Sequence, residues 1–435
     1  DFFKKEITFQ VSASYGPGRY DPFYEEQGND YPIGFVRWTE RRNFEAVLEM
    51  LSEGVLDVKP LITHRYDIND AVEAYSLITN PNALGVILNY PNKPVDELKK
   101  SKITLSKLES TNFIPTDSNV GFIGAGNYAS RTLIPAFKEG GSNLISLITS
   151  GGVSGVHHGK KNGFLSTSTD ISDLWTPEIN TVVIATRHNN HASEVVDALK
   201  HKKNVFVEKP LALSLEEINS IDLAYSPLSN VRLMVGFNRR FSPYVIKMKK
   251  LLSHCRSPKS IIIPVNAGEI PTSHWVHDES IGGGRIIGEG CHFIDLMRHL
   301  VGFPIVNFHA MMIGDNSGIE VRDDKVSITI SFEDGSFGTI HYFANGGSKF
   351  PKERVEVFCE NAVLRMDNYL SLKGFGWPGF NSMRSFKQDK GQKACVVAFL
   401  ESIRNGKPSP ISYSEIIEVS EISIKVSKNL RKNSR

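Results

Sequence analysis

Apolar positions recur along this chain with changing period, and the changes divide it. At the start Ile7, Phe9 and Val11 alternate with Thr8, Gln10 and Ser12, the two-residue rhythm of a half-buried strand. A loop rich in Gly, Pro, Tyr and Asp runs from Tyr15 to Pro32. Phe44, Val47, Leu48 and Leu51 then fall at helical spacing and Gly54 stops them; a second helix is predicted from Ile68 to Ile78 and a last strand from Gly85 to Leu88. Two helices and two or three strands are a poor basis for a complete core, so residues 1–90 read as a first unit that is only the remnant of a domain. Residues 91–117 carry Pro91, Pro94 and Pro115 with Lys99, Lys100, Lys102 and Lys107, and read as a linker with one short helix.

From Val120 the rhythm is different. Short apolar runs at 120–123, 144–149, 181–185, 205–207 and 232–236 alternate with helical stretches such as Ala192 to Lys200. Strands alternating with helices predict a parallel, doubly wound sheet over residues 118–237. Past Gly236 the strands come in succession, at 260–265, 305–313, 326–332, 337–343, 355–358 and 362–366, with helices expected at 291–300, 396–403 and 416–426. This predicts an α+β domain over 238–435 with a large, mostly antiparallel sheet. The fold class is α/β, a Rossmann-type domain followed by that second domain.

The first strand of the parallel sheet runs into Gly124, Gly126 and Ala129, in G-x-G-x-x-A spacing. The first glycine permits a tight turn and the second lets backbone approach a pyrophosphate; Ala129 lets the next helix sit close, with its N-terminal N–H groups toward the phosphates. Asn127 and Tyr128 belong to the same turn. Pro135 is expected to kink the helix that runs to Gly140. Ligands of such sheets lie at the carboxyl ends of the strands. After the second strand come Ser150, Gly151 and Gly152, where NAD-preferring folds place an Asp or Glu; no Arg is adjacent, and Lys160 and Lys161 lie further along. The sequence therefore leaves NAD and NADP both open and leans toward tolerance of NADP.

Two further strand ends carry Ala185-Thr186-Arg187-His188-Asn189-Asn190-His191 and Glu208-Lys209-Pro210, and residues 282–295 read GGGRIIGEGCHFID. With the glycine turn, these segments resemble the glucose-fructose oxidoreductase, inositol dehydrogenase and MocA family (Gfo/Idh/MocA) over residues 118–427. The resemblance implies an NAD(P)-dependent oxidoreductase in which Lys209 hydrogen-bonds the reacting oxygen and His292 is the general base. Asp295, three residues on and on the same helical face, is expected to orient the imidazole. Thr186, His191 and Glu208 would border the cofactor, His191 with a loop-fixing role as well. The chain departs from the family pattern at Arg187 and His188, where Pro and Asn are commoner, and at Gly288, where many members carry Asp; Glu289 or Asp295 would then replace that carboxylate. His188, Arg239 and Arg240 are the substrate-binding candidates, the arginines suggesting a nucleotide-sugar diphosphate. Trp275, His277, Lys349 and Lys352 are weaker candidates.

Within residues 1–90, Phe2-Phe3-Lys4-Lys5-Glu6-Ile7-Thr8 and Lys59-Pro60-Leu61-Ile62-Thr63-His64-Arg65 resemble the C-terminal end of the medium-chain, zinc-type alcohol dehydrogenases. That family's zinc ligands lie upstream of the matching part, and His64 reads as a hydrogen-bonded histidine at a strand end. The whole thus resembles the C-terminal part of a bacterial two-domain oxidoreductase.

A net charge of +2 over 435 residues predicts no special attraction to nucleic acid or to acidic membranes, and no run of eighteen apolar residues is present. Cys255, Cys291, Cys359 and Cys395 lack metal or disulfide spacing, which suggests a reducing cytoplasm and no metal. The expected activity is oxidation or reduction of a secondary hydroxyl of a sugar, nucleotide-linked and made for a surface polysaccharide, and the family resemblance implies a homo-oligomer formed through the open sheet. Two rivals stand beside it: a dinucleotide-binding sensor or scaffold, and redox-neutral epimerase or lyase chemistry through a transient ketone.

Overall fold

The structure, a computed structural model, describes every residue except 1–2, 8–13, 93, 95–98, 107–117, 227, 229, 317 and 433–435. The opening strand and the Lys107 to Pro115 part of the linker lie outside the described residues. The chain forms two compact units, Asp1–Lys99 and Lys100–Arg435.

In the first unit, helix α1 (Glu40–Ser52) ends just before Gly54, which takes φ +71°. The strand that carries His64, β1 (Ile62–Asp67), pairs in parallel with β2 (Gly85–Asn89). Between them α2 (Ala71–Ser76) is flanked by 3-10 turns at 68–70 and 77–79, so the predicted helix exists in tightened pieces. His64 sits within β1, with Nδ1 2.9 Å from Thr63 Oγ1. Ala74 is the one buried apolar side chain among the described residues of this unit.

The second unit begins earlier than the periodicity suggests. Lys102–Thr104, expected in the linker, forms β3 and pairs antiparallel with β6 (Ser166–Ser168). The other strands are β4 (Asn119–Ile123), β5 (Asn143–Ile148), β7 (Thr181–Ile184), β8 (Asn204–Val207) and β9 (Leu233–Val235), in the order β3-β6-β5-β4-β7-β8-β9 and parallel except at β3. Every residue of β4 and β7 is buried, as a strand covered on both faces requires. Helices α3 (Ile134–Glu139), α4 (Gly152–Asn162), α5 (His188–Lys200) and α6 (Leu215–Tyr225) connect the strands. Pro135 does not break its helix. A π-turn over Ala129–Leu133 precedes it, with Ile134 N bonded to Ala129 O, and Pro135 falls in the first turn of α3, where no N–H is needed.

After α7 (Pro243–Leu252) and β10 (Ser260–Asn266), a π-turn at Ile286–Gly290 runs into α8 (Cys291–Val301). Seven more strands follow: β11 (Ile305–Met312), β12 (Lys325–Phe332), β13 (Phe337–Phe343), β14 (Arg354–Cys359), β15 (Ala362–Asp367), β16 (Ser371–Phe375) and β17 (Ser382–Arg384). With β10 they form one sheet in the order β11-β12-β13-β10-β14-β15-β16-β17, antiparallel except for β10 with β13. Along β12, Val326, Ile328, Ile330 and Phe332 point into the core, while Ser327 and Thr329 meet His341 and Thr339 on the outer face. Helices α9 (Gln392–Arg404) and α10 (Tyr413–Lys432) complete the unit. No helix among the described residues is long and apolar enough to cross a membrane.

Candidate active site

A cleft of about 1770 Å³ opens at the carboxyl ends of β4, β5, β7 and β8 and is lined on its far side by Arg239, Trp275, Glu289, His292, Lys352 and Lys390. At its floor Gly124 takes φ +95°, and a Cβ there would stand 2.5 Å from Ala185 O. Above Gly126 nothing lies within 4 Å, so the turn leaves the room that a close-approaching pyrophosphate requires. Asn127, Tyr128 and Ala129 continue this wall, and Thr149, Ser150 and Ser154 line it at the end of β5. Asp170, just after β6, also lines the cleft, whereas Lys160 and Lys161 do not. Sequence spacing could not supply Asp170, because β6 is Ser-Thr-Ser and carries no apolar signal.

Helix α5 starts at His188, four residues earlier than its apolar spacing suggests, which places both histidines of this segment in its first turn. His191 is buried, with Nδ1 2.7 Å from Pro210 O and Nε2 3.3 Å from Thr186 O. It thereby ties the loop after β8 to the loop after β7. Burial pushes its ring down to about 4, so the neutral form makes these contacts. Thr186 donates to Glu194 Oε2 at 2.7 Å, and burial pushes that carboxyl up to about 7. Glu208, half-buried, also lines the cleft, and its removal from water pushes the carboxyl up to about 7.

The Lys209–Pro210 peptide bond is cis. Lys209 Nζ donates to Gly288 O at 2.7 Å, which brings the strand-end lysine against the π-turn before α8. An ammonium has three donors, so two remain for a ligand. His292, in the first turn of α8, is held far below its ordinary range, first by burial and then by the charges of Arg239 and Lys209. Its ring is therefore neutral, the form a general base needs, and its Nδ1 is buried without a hydrogen-bond partner among the described residues.

Three expectations about charged partners are corrected. Asp295 does not orient His292: Arg240 Nε reaches both its carboxylate oxygens, at 2.8 and 2.9 Å. Residues three apart share a helix face, but a buried carboxylate goes to the buried guanidinium. Arg240, bonded to Asp295 and to Glu415, does not line the cleft and is not free for a diphosphate. Arg239 lines it but is neutralised by Glu353 in a two-bond contact at 2.8 and 2.9 Å, and Lys390 shares that carboxylate at 2.6 Å. Glu289, considered as a replacement carboxylate, lines the cleft but is tied to Lys352 at 2.6 Å, Tyr342 at 2.6 Å and Arg285 at 3.0 Å. Burial alone would push its carboxyl up; Lys352 and these bonds outweigh it and hold Glu289 well below the usual range. The sequence offers no spacing signal for Glu353 or Lys390, which arrive from loops before β14 and α9. Nor does it foresee that Cys255 Sγ, Cys359 Sγ and a Glu360 carboxylate oxygen lie within 4.8 Å of one another.

The "Oxidoreductase family, NAD-binding Rossmann fold" of the Gfo/Idh/MocA group matches residues 118–237, and the "GFO/IDH/MocA C-terminal domain" matches residues 261–365. Both domains of the Gfo/Idh/MocA oxidoreductase family are present in this chain. The chain is 26% identical to the uncharacterized oxidoreductase YrbE of Bacillus subtilis over 263 residues, 57% of this chain and 75% of that one. It is 24% identical to myo-inositol 2-dehydrogenase of Thermotoga maritima over 195 residues, 44% of this chain and 58% of the relative, so it spans little more than half of that protein. Levoglucosan dehydrogenase, solved with NADH and levoglucosan, shares the fold with a TM-score of 0.64 at 21% identity, covering 73% of this chain and 98% of that one. Within this family, the cleft between the glycine turn and α8 is the place where an NAD-type dinucleotide fits: an open approach over Gly126, a helix N-terminus behind it, and Lys209 and His292 at the far end.

Proposed function

We propose that this chain is a dehydrogenase that oxidises a secondary hydroxyl of an uncharged sugar or polyol, with NAD preferred over NADP. The observation that carries this reading is the convergence of Lys209 and His292 on one cleft with the glycine turn. The bound dinucleotide would supply the hydride acceptor. Lys209, steadied by Gly288 O, would donate to the hydroxyl oxygen, and neutral His292 would take its proton; positioned acid-base groups of this kind contribute about 10²- to 10⁴-fold. The preference for NAD rests on Asp170, which lines the cleft together with Ser150 while Lys160 and Lys161 do not, since a 2'-phosphate would meet negative charge.

The nucleotide-sugar reading loses its original support, because Arg239 and Arg240 are already neutralised and Lys352 and Lys390 are paired with Glu289 and Glu353. Uncharged substrates, of the kind named for the inositol and levoglucosan enzymes, fit those neutralised cations better. Self-association through the eight-stranded sheet is supported by Ile262, Phe358 and Phe375, which its strands leave exposed. For residues 1–90, the alcohol-dehydrogenase-like reading rests on the quoted segments and is supported by the unit's unfilled core.

The test is reduced-nicotinamide absorbance with NAD or NADP and a panel of myo-inositol, levoglucosan and nucleotide sugars. Growth of signal with NAD and a neutral polyol, lost in Lys209→Met while NAD still binds, is the expected result. A Lys209→Met variant that keeps its activity would refute the assigned role, and turnover confined to nucleotide sugars would restore the charged substrate.

A further inference from the structure

Gly288 stands four residues before His292, on the π-turn that leads into α8. A Cβ built at Gly288 would stand 2.9 Å from His188 Cε1 and 3.5 Å from Val276 Cγ2. The room for a side chain is therefore already occupied by the imidazole of His188. That ring is 7% exposed and is held edge-on to Trp275, with centroids 4.8 Å apart. Its Nδ1 lies 2.8 Å from Gly282 O. A carbonyl only accepts, so Nδ1 carries the proton and Nε2 presents a bare lone pair. Burial first, and the charge of Lys209 second, push the ring down to about 3, so it stays neutral at working pH. His188 lines the cleft, and among the described residues its Nε2 has no hydrogen-bond partner.

His188 and Lys209 also abut the same residue. The lysine ammonium sits on the carbonyl of Gly288, and the imidazole fills the space where a Cβ of that residue would stand. Both groups line the same cleft beside Gly288, so one ligand there can meet the ammonium and the imidazole together. We propose that His188 is a substrate-binding residue whose Nε2 accepts a hydrogen bond from a hydroxyl adjacent to the one that Lys209 holds, so that the site selects a neutral vicinal diol. The inference rests on the dehydrogenase reading above. A fixed lone pair rewards a donor; an ionised carboxylate or phosphate brings only acceptors and is disfavoured at this point. The small residue at 288 and the large ring at 188 form one complementary pair.

The test compares wild type, His188→Phe, His188→Asn, Gly288→Asp and the double variant His188→Asn/Gly288→Asp, with myo-inositol and levoglucosan as probes. The expected result for His188→Phe is a KM raised about 10- to 100-fold, the worth of one buried hydrogen bond, with kcat changed less and NAD binding unchanged. His188→Asn, which keeps an acceptor, recovers most of that loss. Gly288→Asp is inactive alone and is partly rescued in the double variant, because the shorter Asn frees the space. Equal KM values in wild type and His188→Phe would overturn the inference while leaving the dehydrogenase reading intact. Absence of any polyol turnover by NAD-bound wild type would overturn both. Independently of every variant's folding, nitrogen NMR of the histidine-labelled wild type must show His188 as the Nδ1–H tautomer; an Nε2–H tautomer would overturn the inference as well.

Discussion

β4 of the second unit and β1 of the first are both strands at the heart of a parallel pair, yet they meet opposite environments. All five residues of β4 are buried, whereas β1 alternates between half-buried and exposed positions and no residue of it is buried. The first unit leaves Phe35 91% and Val72 87% exposed; in the second, Phe122, Phe137 and Phe206 pack edge to face in one cluster. Local patterning produced elements in both units. What differs is whether a second layer covers them, and stability follows the covering layer rather than the count of apolar residues.

Substitutions can sharpen this contrast. The largest loss is expected at the buried ion pair of the second unit: Glu353→Gln leaves the Arg239 guanidinium buried and unneutralised, at a cost of about 3–5 kcal/mol in denaturant unfolding. Burial opposes ionisation of Glu353, but Arg239 overrides it and holds the carboxyl down to about 2. A carboxyl depressed from its ordinary 4.5 stabilises the fold fully above that pH, and the contribution fades as pH falls toward 2. The difference in melting temperature between wild type and Glu353→Gln should therefore be constant near neutrality and shrink below pH 4.5; a gap independent of pH down to 2 would contradict the pairing. Phe122→Ala should cost about 3–5 kcal/mol by the same measurement, as a truncated core aromatic does. Gly124→Ala comes next, at about 1–3 kcal/mol for backbone strain, with calorimetric NAD affinity falling as the methyl pushes on Ala185. The smallest effect is expected in the first unit, where Phe44→Ala, at a residue 48% exposed, should change stability by about 0.5 kcal/mol or less. A cost there like that of Phe122→Ala would break the comparison.

Much of the second unit was legible because its strands are apolar and its turns hold glycine. The five apolar parallel strands and the six strands from 260 to 366 lie within a few residues of their predicted bounds. β3, β6, β16 and β17 were not legible; a short strand such as Ser-Thr-Ser, without an apolar run, gives no signal. The cleft drew together the glycine turn, Ser150, Thr186, His191, Glu208, Lys209 and His292, each of them at a strand end or in a helix's first turn. Asp295 and Arg240 went elsewhere because pairing of buried charges is decided by three-dimensional neighbours such as Glu415, which no spacing announces. The room at Gly288 was invisible for the same reason: it is filled from α5, a hundred residues away along the chain.

The short strand β3 sets a limit on how the catalytic part can be isolated. A fragment cut at residue 118, where the family match starts, would lose Lys102–Thr104 and strip β6 of its outer partner. The exposed N–H and C=O groups of β6 would then template pairing with other chains, the hazard of any bare sheet margin. Such a fragment should aggregate, whereas one that starts at Lys100 keeps its own strand as a guard.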